Sequence, residues 1–298
     1  MACTIEPSTE SAISLEEYID FCESHPEMKE PDAAIEHAGK LGQLCHNPSF
    51  FTDYLNDGLK SLNQFQQKND FKPPNFVLYY GSYFAIRAIV WLPMSELAAD
   101  ELLSYFDGHD HNFDLLTCSY FGSGYRTIIY QYDHNQVTGY IGEHVDLAFQ
   151  EDTDFPHGKL MYYFSSKDVH TQYPPDELSI SVNLIIPRPG EPKLQFFFDV
   201  EKQVITGYVN DLTMRNPVFK TVEAIGNDNS IDLLLRIASH HPCFRTRGLA
   251  WTTLFNMEGI TDDFFNLAMQ DSHSYVKQTV LDTIGSHKTA EPKGVYCL

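Results

Sequence analysis

The chain has 298 residues, 43% of them hydrophobic, with 41 acidic against 20 basic side chains and a formal net charge of -21. That supplies a substantial core, in one large domain or two smaller ones. A general nucleic-acid role needs a basic face, and neither the overall charge nor any local Lys/Arg run provides one.

Residues 1–12 are polar and acidic rather than basic and then apolar, and no apolar stretch approaches the roughly 20 residues that span a bilayer. The chain therefore reads as cytoplasmic, with no membrane role. Cys3, Cys22, Cys45, Cys118, Cys243 and Cys297 are scattered without a C-x-x-C pair, which argues against a disulfide framework or a zinc ribbon.

Residues 1–75 read as an N-terminal helical segment. Ser14 with Glu17 forms a capping box, followed by Leu15, Tyr18, Ile19 and Cys22 at helical spacing. A second helix carries Ile35, Ala38, Gly42 and Cys45, and a third carries Phe51, Leu55, Leu59 and Leu62; Pro48 and Pro73-Pro74 punctuate them.

Over residues 76–210 the period changes to two. About nine strands are expected, at Phe76–Tyr80, Phe84–Leu92, Asp114–Phe121, Arg126–Tyr132, Val145–Phe149, Lys159–Phe164, Ile180–Ile186, Leu194–Val200 and Val204–Val209. Ser95–Leu103 reads as one short helix between strands, and Gly122-Ser123-Gly124 as a tight hairpin turn rather than a phosphate loop. This pattern indicates a sandwich or barrel.

Residues 211–298 return to the helical period. Ile231, Leu234, Leu235 and Ala238 form one stripe, Trp251, Leu254 and Phe255 another, and Val276, Val280 and Ile284 a third. Asp271 followed by Ser274-Tyr275-Val276-Lys277 resembles a HEAT-type helix, in what is best described as a small bundle that packs on the barrel or serves a carrier or partner protein.

His109-Asp110-His111 is the most informative phrase. In a strand, residues i and i+2 share a face, so two imidazoles are presented to one ion while Asp110 points away. His170 arrives in a later strand-rich stretch as a third ligand. Asp114 and Glu143 are candidate carboxylate ligands, Asp114 only if the strand bulges there to make a two-His-one-carboxylate triad. Arg87, Arg126 and Tyr163 are the candidate catalytic side chains. Either arginine lies in a strand-like run, where it clamps a substrate carboxylate or pairs with an acid. Tyr163 with Tyr130 and Tyr162 lines the barrel or belongs to its core.

The central segment resembles the cupins, whose double-stranded β-helix carries H-x-H in a first motif and a single His after a Pro-x-Gly turn in a second. The matches are His109-Asp110-His111 and Pro156-His157-Gly158 followed by His170. It is distantly similar to the three-His thiol dioxygenases within that superfamily, through Phe84 to Trp91, the three histidines, and Ser179-Ile180-Ser181-Val182-Asn183-Leu184. It departs from cupins in carrying Leu115 and Leu116 where a Glu usually follows. It departs from the thiol dioxygenases in carrying Asn183 where they place a histidine behind the ligands.

The resemblance implies an α+β fold with a cupin-like barrel flanked by helical segments. It also implies a mononuclear non-haem Fe(II) oxygenase acting with O₂ on a small metal-chelating or anionic substrate, and homodimers by analogy. The ligand set suits zinc, nickel or copper as well. The alternatives are a zinc-dependent hydrolase or lyase on the same ligands, and a non-catalytic cupin scaffold whose C-terminal helices form the interface.

Overall fold

The structure, a computed structural model, describes residues 2–6, 11–69, 74–97, 105–189, 193–209 and 215–289. The short helix expected over Ser95–Leu103 falls largely outside these residues, as does Cys297. The chain divides into two compact units, one of Met1–Val137 with Ile141–Val209, the other of Thr138–Tyr140 with Asn210–Leu298.

The first unit is mixed α+β. Its N-terminal helices are α1 (Leu15–Ser24), α2 (Pro31–Glu36), α3 (Gly39–Cys45) and α4 (Phe50–Lys60). Ser14 and Glu17 make the expected capping box on α1. The helix read through Ile35 and Cys45 is two helices, because the chain turns at His37 and Ala38.

Twelve strands are found among the described residues: β1 (Cys3–Ile5), β2 (Asn75–Tyr80), β3 (Ala85–Trp91), β4 (Gly108–His109), β5 (Phe113–Phe121), β6 (Tyr125–Gln131), β7 (Ala148–Phe155), β8 (Leu160–Tyr163), β9 (Asp168–Tyr173), β10 (Ser179–Pro187), β11 (Gln195–Asp199) and β12 (Val204–Val209). They form two six-stranded sheets whose ladders are antiparallel, ordered β1-β8-β5-β10-β3-β2 and β12-β11-β4-β9-β6-β7. No closed barrel is found among the described residues.

Alternation divides the side chains of the first sheet between two cores. Ile86, Leu116, Cys118, Leu160, Tyr162, Val182 and Leu184 pack with Tyr18, Leu41, Leu44 and Phe51 of the N-terminal helices. Ile89, Trp91, Leu115, Met161, Tyr163 and Ile185 face the second sheet and share a core with its Tyr125, Ile129 and Phe155. The sheets therefore pack face to face.

Gly122-Ser123-Gly124 does not close a hairpin. It carries the chain from β5 in one sheet to β6 in the other, with positive φ at both glycines. A Cβ at Gly124 would lie 1.8 Å from Phe155 O, so only glycine fits this crossing.

The second unit contains α5 (Arg215–Ile225), α6 (Asp228–His240), α7 (Phe244–Glu258), α8 (Asp262–Ala268) and α9 (Ser274–Thr289). Leu234, Trp251, Leu254, Phe255, Val276 and Val280 form its core, as the three stripes anticipate, and Leu233, outside the stripe, is exposed. Arg247 pairs with Asp271 at 2.6 Å, and the Phe244 and His273 rings stack 3.8 Å apart. No helix among the described residues is long and apolar enough to cross a membrane.

Candidate metal centre

β4 is two residues long and lies between β9 and β11, where His109 stands opposite both His170 and Phe197. The ladder ends there, yet Asp110 N donates to Phe196 O at 3.2 Å. Alternation thus continues far enough to bring His111 back to the side of His109. Asp110 points the other way and is fully buried. Tyr132 donates its hydroxyl to Oδ2 at 2.6 Å and Phe196 N donates to Oδ1 at 2.5 Å. Burial pushes its carboxyl up to about 7, against the pull of those two bonds.

The three imidazoles converge. His170 Nε2 lies 3.2 Å from His109 Nε2 and 3.1 Å from His111 Nε2. Metal–imidazole bonds of about 2.0–2.1 Å place two ligand nitrogens about 2.9 Å apart at a right angle and about 3.3 Å apart at the tetrahedral angle. The observed separations fall between these.

The other ring nitrogens explain why Nε2 is the atom presented. His109 Nδ1 donates to Asp107 O at 2.9 Å. His111 Nδ1 lies 3.3 Å from Gln195 Oε1, and Gln195 holds that orientation by donating from Nε2 to Asn112 Oδ1 at 3.0 Å. A nitrogen that donates carries the proton, so each ring offers a bare lone pair at Nε2. Gln172 lies against His170 with its amide nitrogen 3.3 Å from Nδ1, while its Oε1 has no partner among the described residues. Turning that amide over gives the oxygen a donor and frees His170 Nε2 as the third lone pair.

Electrostatics favour the neutral form that ligation requires. Burial holds His111 and His170 well below the ordinary histidine range, and the neighbouring imidazoles and Arg87 push them further down. Burial also lowers His109, with the Asp107 carbonyl opposing it. Among the described residues, this is the one group of His, Cys, Asp or Glu side chains arranged to hold an ion. The residues fit a metal.

The histidines open on a cavity of about 250 Å³ inside the first unit. Arg87, Thr117 and Asn183 contribute a polar wall, and Trp91, Tyr125 and Phe197 an aromatic one. Arg87 is only 8% exposed, and burial lowers its guanidinium to about 10.

The sequence-predicted residues separate by strand face. Arg87 lines the cavity. Tyr163 is buried with its ring centroid 4.6 Å from that of His170, and its hydroxyl approaches Met161 Sδ at 3.7 Å. Arg126, between the inward Tyr125 and Thr127, points outward, pairs with Asp152 at 2.5 Å and covers the Tyr173 ring. Asp114 lies on the helix-facing side of β5, where it accepts from Ser165 N at 2.8 Å and pairs with Arg188 at 3.1 Å. Glu143 is buried, and neither carboxylate belongs to the ligand group.

Sequence reading missed β9 itself, along with Gln172, Gln195, Trp91 and Tyr125. The positions of β9 on the face of His170 are Asp168, His170 and Gln172, of which His170 and Gln172 line the site and Asp168 accepts from Phe164 N, so the usual apolar alternation is inverted. Spacing by two from His170 was the available signal for Gln172. No protein-family model matches the chain, and no match is found among curated proteins.

Proposed function

We propose that the chain is a mononuclear metal-dependent oxygenase of the cupin type, with Fe(II) held by His109, His111 and His170 and a small metal-chelating or anionic substrate in the adjoining cavity. The observation that carries this reading is the convergence of three imidazoles, with His170 Nε2 3.2 Å from His109 Nε2 and 3.1 Å from His111 Nε2, at the wall of a partly polar cavity between two facing sheets. When bound, an iron ion with three protein ligands supplies open positions for a chelating substrate and for O₂.

The chain's own residues do the rest. Asp107 and Gln195 fix the tautomers of His109 and His111. Trp91, Tyr125 and Phe197 exclude water from one wall. Arg87 presents a cation that stays charged at neutral pH even though burial lowers it, and so attracts an anionic group. The volume of about 250 Å³ lies below the roughly 300 Å³ at which small-molecule pockets usually begin, and so suits a small ligand.

The test is metal analysis of untagged protein purified without added metal, followed by anaerobic Fe(II) reconstitution and oxygen-uptake assays against thiol, amino-acid and keto-acid panels. One equivalent of iron after reconstitution, with substrate-dependent uptake lost in His109→Ala/His111→Ala, is the expected result. Tight stoichiometric zinc with hydrolytic turnover would replace the oxygenase reading by a zinc hydrolase or lyase on the same ligands. No metal under either condition would refute both.

A further inference from the structure

The chain changes sheet just after His111. β4 lies in the second sheet, whereas β5, which begins at Phe113, lies in the first. Phe113 has the phase of Leu115, and it packs against the core that Leu115 shares with Tyr125 and Met161 between the two sheets. Its ring therefore turns back into the space where the histidines converge. There it lies against His111, with centroids 4.6 Å apart and planes only 17° from parallel.

The three imidazoles are not held alike. His109 has a short Nδ1 bond of 2.9 Å to Asp107 O, and Phe197 stands 6.0 Å away at 44°. His170 meets Tyr163 at 4.6 Å, but at 59°. Among the described residues, only His111 has a ring lying nearly parallel to its own. It also has a long Nδ1 contact, 3.3 Å to Gln195 Oε1, where N–H···O bonds run at about 2.9–3.0 Å. Ser166 N donates to His111 O at 2.6 Å, which fixes the main chain and leaves the ring free. Rotation about a bond to a flat ring is soft, so one long hydrogen bond is a loose restraint on the direction of Nε2. A stacked ring removes that freedom.

We infer that Phe113 is a positioning residue for the metal: with Gln195, its ring sets the plane of His111 and so aims Nε2 at the point on which the other two imidazoles converge. Phe113 is itself held by the core and by the Arg87 guanidinium, whose central carbon lies over the ring at 5.9 Å from its centroid. The stack also favours the ligated ring. An imidazole bound to a cation is electron-poor, and Phe113 offers it the negative face of a π system. This role rests on the metal-centre reading, since it concerns how one ligand is aimed.

The test is a competition titration of the full chain with Co(II) against a chelator, read together with the visible spectrum of the bound ion and the melting temperature of the metal-free protein. Phe113→Leu should weaken Co(II) binding by about 10–100-fold, the scale for losing a group that orients a ligand, and should shift the visible bands. Phe113→Met, of similar bulk and without a flat face, should do the same. Phe113→Tyr keeps the ring and should restore both readouts. Phe155→Leu makes the same change at a fully buried position of the same core that touches no imidazole; it should lower the melting temperature and leave Co(II) affinity and spectrum as they were. Phe113→Leu/Gln195→Leu, with both restraints gone, should bind Co(II) no better than His111→Ala.

Unchanged Co(II) affinity and spectrum in Phe113→Leu and Phe113→Met, or a folded Phe113→Tyr that restores neither, overturns the inference alone. Failure of the unmodified chain to take up Co(II) overturns the metal reading and the inference with it.

Discussion

Loading the site with a divalent transition metal stabilises the first unit, by an amount that follows from the histidine geometry. With no ion, the lone pair of His170 faces those of His109 and His111 at 3.2 and 3.1 Å, and the other ring nitrogens lie against Asp107 O, Gln195 and Gln172. The unfolded chain lacks this arrangement, because His170 reaches the other two only through the β4–β9 pairing. An ion thus binds the folded state far better than the unfolded one. At a free metal concentration of 100 times Kd, the gain is about 2.7 kcal/mol. For domains of roughly 150–250 residues, each kcal/mol moves Tm by about 2–4 °C, so the transition of the first unit should rise by about 5–10 °C.

The assay is differential scanning calorimetry of chelator-treated protein with and without Zn(II) or Co(II), read on the first unit's transition. His109→Ala/His111→Ala should melt at the same temperature with and without metal. An equal shift in that variant would mean that the ion binds elsewhere, and no shift with any of these metals would refute the geometric reasoning.

Gln195→Leu removes the acceptor of His111 Nδ1–H and should weaken Co(II) affinity by roughly 10–100-fold by competition titration, while Gln195→Glu keeps an acceptor and retains binding. Asp114→Ala should cost about 1–3 kcal/mol in urea unfolding by leaving Ser165 N–H without its acceptor, with metal stoichiometry unchanged; loss of metal would restore Asp114 as a ligand. In the second unit, the Arg247 guanidinium and the His273 amide hold Asp271 below its usual range despite burial. A carboxyl depressed on folding contributes stability that is present above its unfolded value of about 3.9 and is lost as pH falls through the folded one. Helical stability should therefore drop below about pH 4, and Asp271→Asn should flatten that slope in thermal melts followed by circular dichroism.

Much of the fold was legible because the relevant forces are local. The capping box at Ser14 and Glu17 needs only three residues of spacing, and the Trp251 and Val276 stripes need only a helical period. Legibility failed where burial of one face does not leave an apolar signature. β7 runs through Gln150, Glu151, Asp152 and Asp154, polar because the strand lies at a sheet edge, and was read as ending at Phe149. Arg87 and Arg126 read alike in sequence. One lies at the cavity and the other on the outside with Asp152, because each follows the phase of its own strand.

The sequence by itself determined that His109 and His111 share a face and Asp110 does not, since a strand's side chains alternate whatever surrounds it. It also determined the succession of helical, strand-rich and helical stretches. Only the tertiary structure decided that His170 is the third member, that Asp114 and Glu143 are not, and that Gln195 and Gln172 stand behind the rings. Those facts depend on which strands neighbour one another across gaps of about 60 to 85 residues. Register across such distances is set by the packing of two whole sheet faces, which no local run of residues encodes.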